Sequence, residues 1–450
     1  MLSVWSRIVG TAALCCCTWA VFAQNATITP KINSPFSRFG LGNFVSQYYA
    51  GPGGMGGLSA AFHDPYHLNT INPASLASLQ STAFEVGLNA QYSGLKSDGA
   101  SESIWSGNLN YMALGFPLIN PINEALDRKR SKFGLGMAFA LQPYTVVGYN
   151  IESTSDQEDL GPTTNFLKGT GGTNRLLWSN AVKYKGFSGG VTLGYLFGQL
   201  TNSRRVEFDS VELAYVTEFL DEVSINGFFW EAGLQYTHEF KKLKATGELE
   251  PSGRRLIIGL NGNSSDNFNT NTSRFAERFN SSYGVQDTIF NETGVKQKGT
   301  LPSDLSIGVM YENVNDFRFG VEYGIENWSE YVNEAKPDSS LLDTWRIRAG
   351  MEWIPDYQSY NNYFERMRYR FGFYYGLDPR SFEGEQLKEY GVSLGFGFPI
   401  IMSRQRVSFV NLSLEAGQFG LSDTLRETFV KMTLGFTLND NTWFFKRKFN

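Results

Sequence analysis

Bulky apolar residues alternate with small or polar ones through many stretches of about ten residues. In 391–400, Val392, Leu394, Phe396 and Phe398 share one face, and Gly391, Ser393, Gly395 and Gly397 share the other. The same period runs through 131–143, where Phe133, Leu135, Met137, Phe139 and Leu141 oppose Gly134, Gly136, Ala138, Ala140 and Gln142. It returns at Val430, Met432, Leu434, Phe436 and Leu438 against Lys431, Thr433, Gly435, Thr437 and Asn439. A period of two marks strands with two chemically different faces. A β-sandwich buries the bulky face between its sheets, whereas a membrane barrel turns it toward lipid and keeps a wetter lumen.

Connection lengths separate these two. Spanning strands are predicted near 82–93, 104–116, 131–143, 174–185, 187–198, 225–240, 243–260, 303–313, 315–326, 344–354, 366–377, 388–400, 404–417 and 428–439. Short turns at Lys185-Gly186, Lys241-Lys242, Val314 and Ile401–Ser403, with medium ones at 117–130 and 355–365, alternate with longer polar connections. The long ones are 94–103, 144–173, 199–224, 261–302, 327–343, 378–387 and 418–427. Short turns on one side and long loops on the other is the asymmetry of outer-membrane barrels. The fold class read from this is all-β, a transmembrane antiparallel barrel of about 14 strands. To keep the parity, 199–224 is read as an extracellular excursion, partly helical, because Val211, Tyr215 and Phe219 recur every four residues. Pro251 cannot donate a ladder hydrogen bond and predicts a bulge or bend near a rim.

Composition agrees with strands in lipid. Aromatic residues make up 15% of the chain, and no stretch after residue 23 approaches the roughly 18 consecutive apolar residues of a spanning helix. Trp105, Trp178, Trp230, Trp345 and Trp353 fall at or near predicted strand ends, as an interfacial aromatic belt would. At the start, Arg7 precedes an apolar run from Ile8 to Phe22, and Ala23 supplies a small residue for cleavage; 1–23 reads as a secretory signal peptide. It contains all three cysteines, so the mature chain relies on backbone pairing and not on disulfides. Without Arg7, the 39 basic residues become one fewer against 44 acidic ones, a net charge of −6. That mild acidity gives no footprint for nucleic acid. The expected location is the outer membrane of a Gram-negative cell.

Residues 24–81 read as a hatch preceding a barrel over 82–450 with a short C-terminal tail. Ser34-Pro35-Phe36-Ser37-Arg38-Phe39-Gly40-Leu41-Gly42 leads to Gly51-Pro52-Gly53-Gly54-Met55-Gly56-Gly57, then to Asn72-Pro73-Ala74 and the first strand. This order resembles the FadL/TodX family of hydrophobic-compound transporters over nearly the whole mature chain. The resemblance implies a hatch plugging a monomeric barrel, with Asn72, Pro73 and Ala74 at its turn and Gly53, Gly54, Gly56 and Gly57 in its glycine run. It also implies capture of a hydrophobic ligand by outer loops, movement of the hatch, and exit sideways through a gap in the wall. The function so implied is passive uptake of small hydrophobic compounds, long-chain fatty acids or aromatic hydrocarbons. The sequence departs from this pattern at 261–274, which is polar where transporters carry apolar loops. Other FadL-like barrels are accessory subunits of protein-export systems, so the alternative is a non-transporting barrel of a secretion or surface-assembly complex, with that complex as partner.

Alternation also places charges in the lumen: Arg318 and Glu322, then Arg346, Arg348 and Glu352, then Arg366, Arg368 and Arg370. Facing lipid, each arginine would cost about 2–4 kcal/mol near the midplane. The two readings are an ion-pair lattice bracing barrel and hatch, and a ligand carboxylate site on surplus arginines. His63-Asp64-Pro65-Tyr66-His67 has the spacing of a helical metal pair, but Pro65 breaks the helix and no third ligand follows; no metal or cofactor is expected. His238 is the one remaining histidine and lacks an orienting partner, so no enzyme activity is expected. The 51–57 run lacks the Gly-Lys-Ser/Thr ending of a phosphate loop.

Overall fold

The computed structural model describes residues 32–97, 100–119, 132–157, 161–208, 210–211, 214–243, 249–280, 284–337, 341–382, 384–401, 407–421 and 425–440. The segment 1–23 read as a signal peptide, with its cysteines, most of the connection 117–130 and the tail 441–450 lie outside the described residues. Inside the barrel, a short strand β1 (Asn43–Phe44) belongs to the hatch. The wall opens with β2 (Thr82–Ser97), β3 (Ala100–Pro117), β4 (Phe133–Gln157), β5 (Gly161–Tyr184), β6 (Phe187–Phe208), β7 (Val216–Leu243) and β8 (Leu249–Asn263). A hairpin of β9 (Asp266–Asn280) and β10 (Val285–Leu301) follows, then β11 (Asp304–Asn313) and β12 (Phe317–Glu326). After the two-residue β13 (Val332–Asn333) come β14 (Thr344–Trp353), β15 (Arg368–Phe382), β16 (Glu385–Ile401), β17 (Val407–Gly420) and β18 (Leu425–Asp440). β8 pairs with β11 from Asn263↔Asp304 to Arg254↔Asn313, and β12 pairs with β14, so β9, β10 and β13 stand outside the ring. β18 closes onto β2 from Leu425↔Ser97 to Asp440↔Thr82. The result is a closed antiparallel barrel of 14 strands.

The alternation works as the pattern implies. Phe84, Leu88, Leu135, Phe139, Val191, Leu193, Phe371, Phe373, Val392 and Leu394 are exposed on the outside, while Ala83, Glu85, Ala138, Ala140, Ser393 and Ser413 are buried inside. Rings gather in two bands on this outer face. Phe133–Tyr184, Phe187–Tyr236 and Trp353–Tyr369 contact one another near the short turns, and Tyr92–Trp105, Tyr195–Phe228 and Trp345–Tyr375 do so at the other level. Trp345 and Trp353 are the two ends of β14 across this apolar belt, roughly 25 Å of strand at about 3.3 Å per residue.

The wall is unequal in height. β11, β12 and β14 end at the upper aromatic band, but β4 to β7 continue well beyond it, joined there by β9 and β10. This corrects the reading of 144–173, 199–224 and 261–302 as loops. β6 pairs with β7 from Phe187↔Tyr236 to Val206↔Thr217, and no helix occurs among the described residues of 199–224. Above the membrane neither face of a strand meets lipid, so period-two hydrophobicity vanishes while backbone pairing persists. Lys241-Lys242 is likewise not a turn, since Lys241 pairs with Pro251 and Lys242 with Glu250. The register shift between Glu239 and Lys241 puts the bulge in β8 itself, between Pro251 and Arg255.

The wall has one break. β3 pairs with β2 from Gly115 up to Ala100, but with β4 only from Met112↔Leu141 to Pro117↔Gly136. The strands part at a bulge, where Gly87↔Tyr111 is followed by Leu88↔Leu109 and Asn110 is left over. Above it the hatch takes the edge of β4, through Asn43↔Val146, Phe44↔Thr145 and the Ser34 N–H on the Gly148 carbonyl (2.9 Å).

Candidate functional site: the hatch and its charged seat

The hatch carries little regular structure of its own, and two short 3₁₀ turns, Pro35–Arg38 and Pro73–Ser78, flank a four-residue helix, Ala50–Gly53. Proline near the start of each turn presets φ and forgoes an N–H that would be unpaired. Asn72 caps the second turn by accepting from Ala74 N–H (3.1 Å), and its Nδ2 donates to the Ala60 carbonyl (2.6 Å). Gln235 of β7 donates to the same carbonyl (2.9 Å). Asn72, Pro73 and Ala74 are therefore the seam where the hatch meets β6 and β7, with Pro73 against Gly190 and Asn72 against Gly233.

The glycine run rests backbone on backbone against the opposite wall. A Cβ on Gly54 would lie 2.6 Å from the Cα of Gly395, and one on Gly56, whose φ is +71°, would lie 2.8 Å from the Phe373 carbonyl oxygen. The wall is carved to match: a Cβ on Gly372 would meet the Gly56 nitrogen at 2.0 Å, and one on Gly350 the Met55 oxygen at 2.2 Å. Gly53 and Gly57 instead face the ring of Tyr48.

Between these contacts lies the charged seat. Glu352 receives Arg318 Nε (3.0 Å) and Arg370 Nε (2.6 Å), and lies 3.9 Å from Arg368. Asp64 of the hatch receives Arg368 (2.7 Å) and Arg318 (3.1 Å), and Arg318 also lies 3.7 Å from Glu312. Three arginines thus face three carboxylates, and no net cation is left over in this group. Glu322 accepts the backbone N–H of Ser59 and of Ala60, both at 2.7 Å, and the guanidinium of Arg348 at 2.6 Å. Arg346 stands apart, on Glu389 (3.1 Å), nearer the upper rim. Arg366 is not on the lumenal face of a strand; it ends the 3₁₀ turn Phe364–Arg366 below β15 and lies over Tyr363. The residue before β15 shifts direction with that turn, so alternation counted back from Arg368 fails there.

The histidine pair of the hatch is bound into the same lattice. His67 Nδ1 lies 3.1 Å from Thr437 Oγ and 3.5 Å from Glu85, which also accepts Leu68 N–H at 2.7 Å. Burial, with Lys183, Arg255 and Arg318 nearby, pushes His63 down to about 3, so its ring is neutral. Burial alone would raise the Asp64 carboxyl, but Arg368, His67 and Arg318 hold it well below the usual carboxylate range. No group of three or more His, Cys, Asp or Glu side chains with metal-site geometry occurs among the described residues. His238 sits at the short-turn rim with its ring 5.0 Å from Phe240.

Above the hatch lies a cavity of about 370 Å³. Asn89, Gln91, Asn108 and Asn110 line one side, and Arg175, Glu231, Asp304 and Glu326 another. The apolar part of the upper lumen, Leu196, Leu200, Val223, Ile225 and Phe268, is already filled: Trp328 and Tyr331 of the β12–β14 connection fold into it. Phe44 of the hatch packs on Trp328 at 4.6 Å.

A family model, BamG, matches residues 6–450. The chain belongs to the BamG family. No curated protein matches it. Among solved structures this BamG-family chain is similar to a FadL homologue of Pseudomonas aeruginosa, at 12% identity and a TM-score of 0.54 over 88% of this chain and 98% of that one. It is similar to the Pseudomonas putida toluene transporter TodX, at 14% identity and a TM-score of 0.54 over 89% and 99%. The Ralstonia pickettii toluene transporter TbuX matches at 15% identity and a TM-score of 0.51 over 88% and 99%. At such identities the likeness is one of fold: a FadL-like β-barrel with an internal hatch.

Of the residues singled out in the sequence, Arg318, Glu352, Arg368 and Arg370 come together in one cluster, and Glu322 with Arg348 forms a second. Reasoning from sequence missed Asp64, Glu85, Gln235 and Glu312. The last three sit on inward positions of alternating strands, which is a usable signal; Asp64 lies on an irregular hatch segment whose sequence has no period to mark which way it points.

Proposed function

We propose that this protein is a plugged accessory barrel of the Gram-negative outer membrane, monomeric in its own fold, which serves a protein-secretion or surface-assembly complex and moves no small molecule. The observation that supports this most is the hatch: its backbone is gripped by Glu322 and its one buried carboxylate by two arginines, under a cavity lined by polar and charged side chains as much as by apolar ones. Sites for apolar ligands are lined mainly by apolar side chains, and burying unpaired polar groups against such a ligand is costly. The tall wall of β4–β7 with β9 and β10 offers a partner a large polar surface above the membrane. We assign the barrel no catalytic step and no cofactor.

The second reading is a passive channel for hydrophobic compounds such as fatty acids or aromatic hydrocarbons. It is favoured by the break between β3 and β4 and by the fold shared with proteins described as toluene transporters. Liposomes containing the full chain, offered labelled oleate or labelled toluene, separate the two. The accessory reading expects uptake no faster than empty liposomes and a stoichiometric protein partner retained through purification from native membranes. Saturable, protein-dependent uptake would overturn it.

A further inference from the structure

Every cation that lines the cavity above the hatch is already matched to a carboxylate. Arg175 stands on Glu231 (3.0 Å), Arg346 on Glu389 (3.1 Å), Arg348 on Glu322 (2.6 Å), Arg380 on Asp378 (2.6 Å) and Lys431 on Glu415 (2.9 Å). Three lining carboxylates are left over. Glu427 is isolated and accepts the Ser34 hydroxyl (3.2 Å). The other two, Asp304 and Glu326, stand directly opposite each other as the first residue of β11 and the last of β12. Both face the cavity, since their neighbours Leu305 and Ile325 are exposed on the outside, and neither makes an ion pair among the described residues. Like charges directly opposite across two strands repel, and a cation between them would remove that cost.

The same corner holds an acceptor without a donor. Asn263 of β8 pairs with Asp304, and Asn261 is the next inward residue below it. Asn261 lines the cavity and is only 5% exposed, and its Oδ1 has no hydrogen-bond partner among the described residues. Beside these oxygens stand two aromatic side chains of the lining, Phe44 and Trp328, with ring centroids 4.6 Å apart. Glu326 accepts the Trp328 indole N–H (2.5 Å), which fixes the aromatic wall next to the acids.

We propose that this corner is a binding site for a primary ammonium group on a short unbranched carbon stem. Asp304, Glu326 and the Asn261 Oδ1 are its three acceptors, and Phe44 and Trp328 flank the stem. An ammonium group has three donors and no acceptor, which matches this set, and aromatic faces attract cations. A neutral apolar ligand would leave the acid pair and the buried amide oxygen unpartnered. Calcium takes six to eight oxygens, whereas the third acid of the corner, Glu231, is held by Arg175, whose guanidinium also lies 3.7 Å from the Tyr144 ring. The cavity of about 370 Å³ is of small-ligand size. Binding here needs no passage past the hatch, so the site goes beyond the accessory reading and does not depend on it.

Isothermal titration of the full chain in maltoside micelles at neutral pH tests this, with butylammonium as the probe and butanol as its uncharged counterpart. The expected result is saturable binding of one butylammonium per chain, with butanol at least tenfold weaker. Asp304→Asn and, separately, Glu326→Gln should each weaken butylammonium at least tenfold, and Glu427→Gln should leave it within twofold. Each of the first two variants removes a like charge, so the barrel should still fold, as its migration on unheated gels will show. N-acetyl-lysine methylamide distinguishes the source: tighter binding than butylammonium identifies a peptide lysine as the occupant, and weaker binding a free amine. Absence of saturable binding by either amine overturns the proposal. So does butanol binding as tightly as butylammonium, affinity unchanged in Asp304→Asn and Glu326→Gln, or calcium binding that these two variants abolish where neither amine binds. Saturable uptake of oleate or toluene would sink the accessory reading and leave this site standing.

Discussion

Replacing Glu322 should loosen the hatch without opening the wall. Its two carboxylate oxygens collect the N–H groups of Ser59 and Ala60, the Ser59 hydroxyl and the Arg348 guanidinium, in a fully buried site. In Glu322→Ala the two amides lose their acceptor, at about 1–3 kcal/mol each for buried unsatisfied groups. Arg348 also loses its counter-ion, a change that costs about 3–5 kcal/mol for a buried pair, although relaxation into the cavity above it lowers this. A combined loss of about 5 kcal/mol in hatch seating is the expectation. Glu322→Gln is the sharper variant. Its amide oxygen can still accept from Ser59 and Ala60, but its NH₂ then faces Arg348 donor to donor, for a loss of about 2–3 kcal/mol.

Amide hydrogen exchange at Ser59 and Ala60 reads this directly, because local opening of the hatch sets the rate. Each 1.4 kcal/mol is about tenfold, so Glu322→Gln should speed exchange roughly 30- to 150-fold and Glu322→Ala by more than about a thousandfold. Exchange in β16 and β17 should not change. Glu389→Gln, which breaks the Arg346 pair near the rim, serves as a control and should leave Ser59 and Ala60 as they were. If Ser59 and Ala60 stay fully protected in a folded Glu322→Ala barrel, the seat is not what holds the hatch and the argument fails.

Three further outcomes follow from the same geometry. Asp64→Asn leaves Arg318 and Arg368 sharing too little negative charge, and should lower the temperature at which the barrel unfolds on heated gels by an amount corresponding to about 3–5 kcal/mol. Gly372→Ala drives a methyl into the backbone at Gly56 and should expose the 51–57 segment to added protease, whereas Gly94→Ala, with only the Thr428 carbonyl oxygen at 3.9 Å, should not. The hatch should also weaken as pH falls from about 6.5 toward 3, since the unfolded chain protonates His63 there while the folded one does not, and folding then costs a proton. Below that range Asp64, ionised in the fold, adds its own loss in the same direction. Thermal unfolding followed across pH 3–8 checks this, and His63→Gln should flatten the upper part of the curve.

The wall was readable from the chain because lipid enforces it. Each spanning strand must show hydrocarbon a bulky face, so Val392-Ser393-Leu394-Gly395 announces both its conformation and its orientation. The same rule explains where legibility stops. β6 beyond Tyr195 and β7 before Phe228 are no less paired, yet with no lipid on the outer face nothing forces Arg205, Val206 and Glu207 to alternate in polarity. The charged seat was half visible. Arg318, Glu352 and Arg370 stand on inward positions of neighbouring strands, but their partner Asp64 lies some 250 residues earlier on a segment without periodicity. Only the folded barrel brings the two together.

The balance of charges also bears on what could ever move the hatch. Withdrawing it would take Asp64 from two arginines and two amides from Glu322, which on the figures above amounts to about 5–11 kcal/mol before any apolar packing is counted. A ligand can drive a conformational change only by the difference in its affinity for the two states. Toluene, with about seven heavy atoms at a ceiling near 1.5 kcal/mol each, would have to spend from half to all of its best-case binding energy on opening, leaving little for capture. A protein partner faces no such ceiling, because an interface of ordinary size can bring several times as many contacts. If the hatch of this barrel opens at all, it is therefore a macromolecule docking on the wall that can supply the energy, and apolar solutes alone should leave Ser59 and Ala60 exchange unchanged at any soluble concentration.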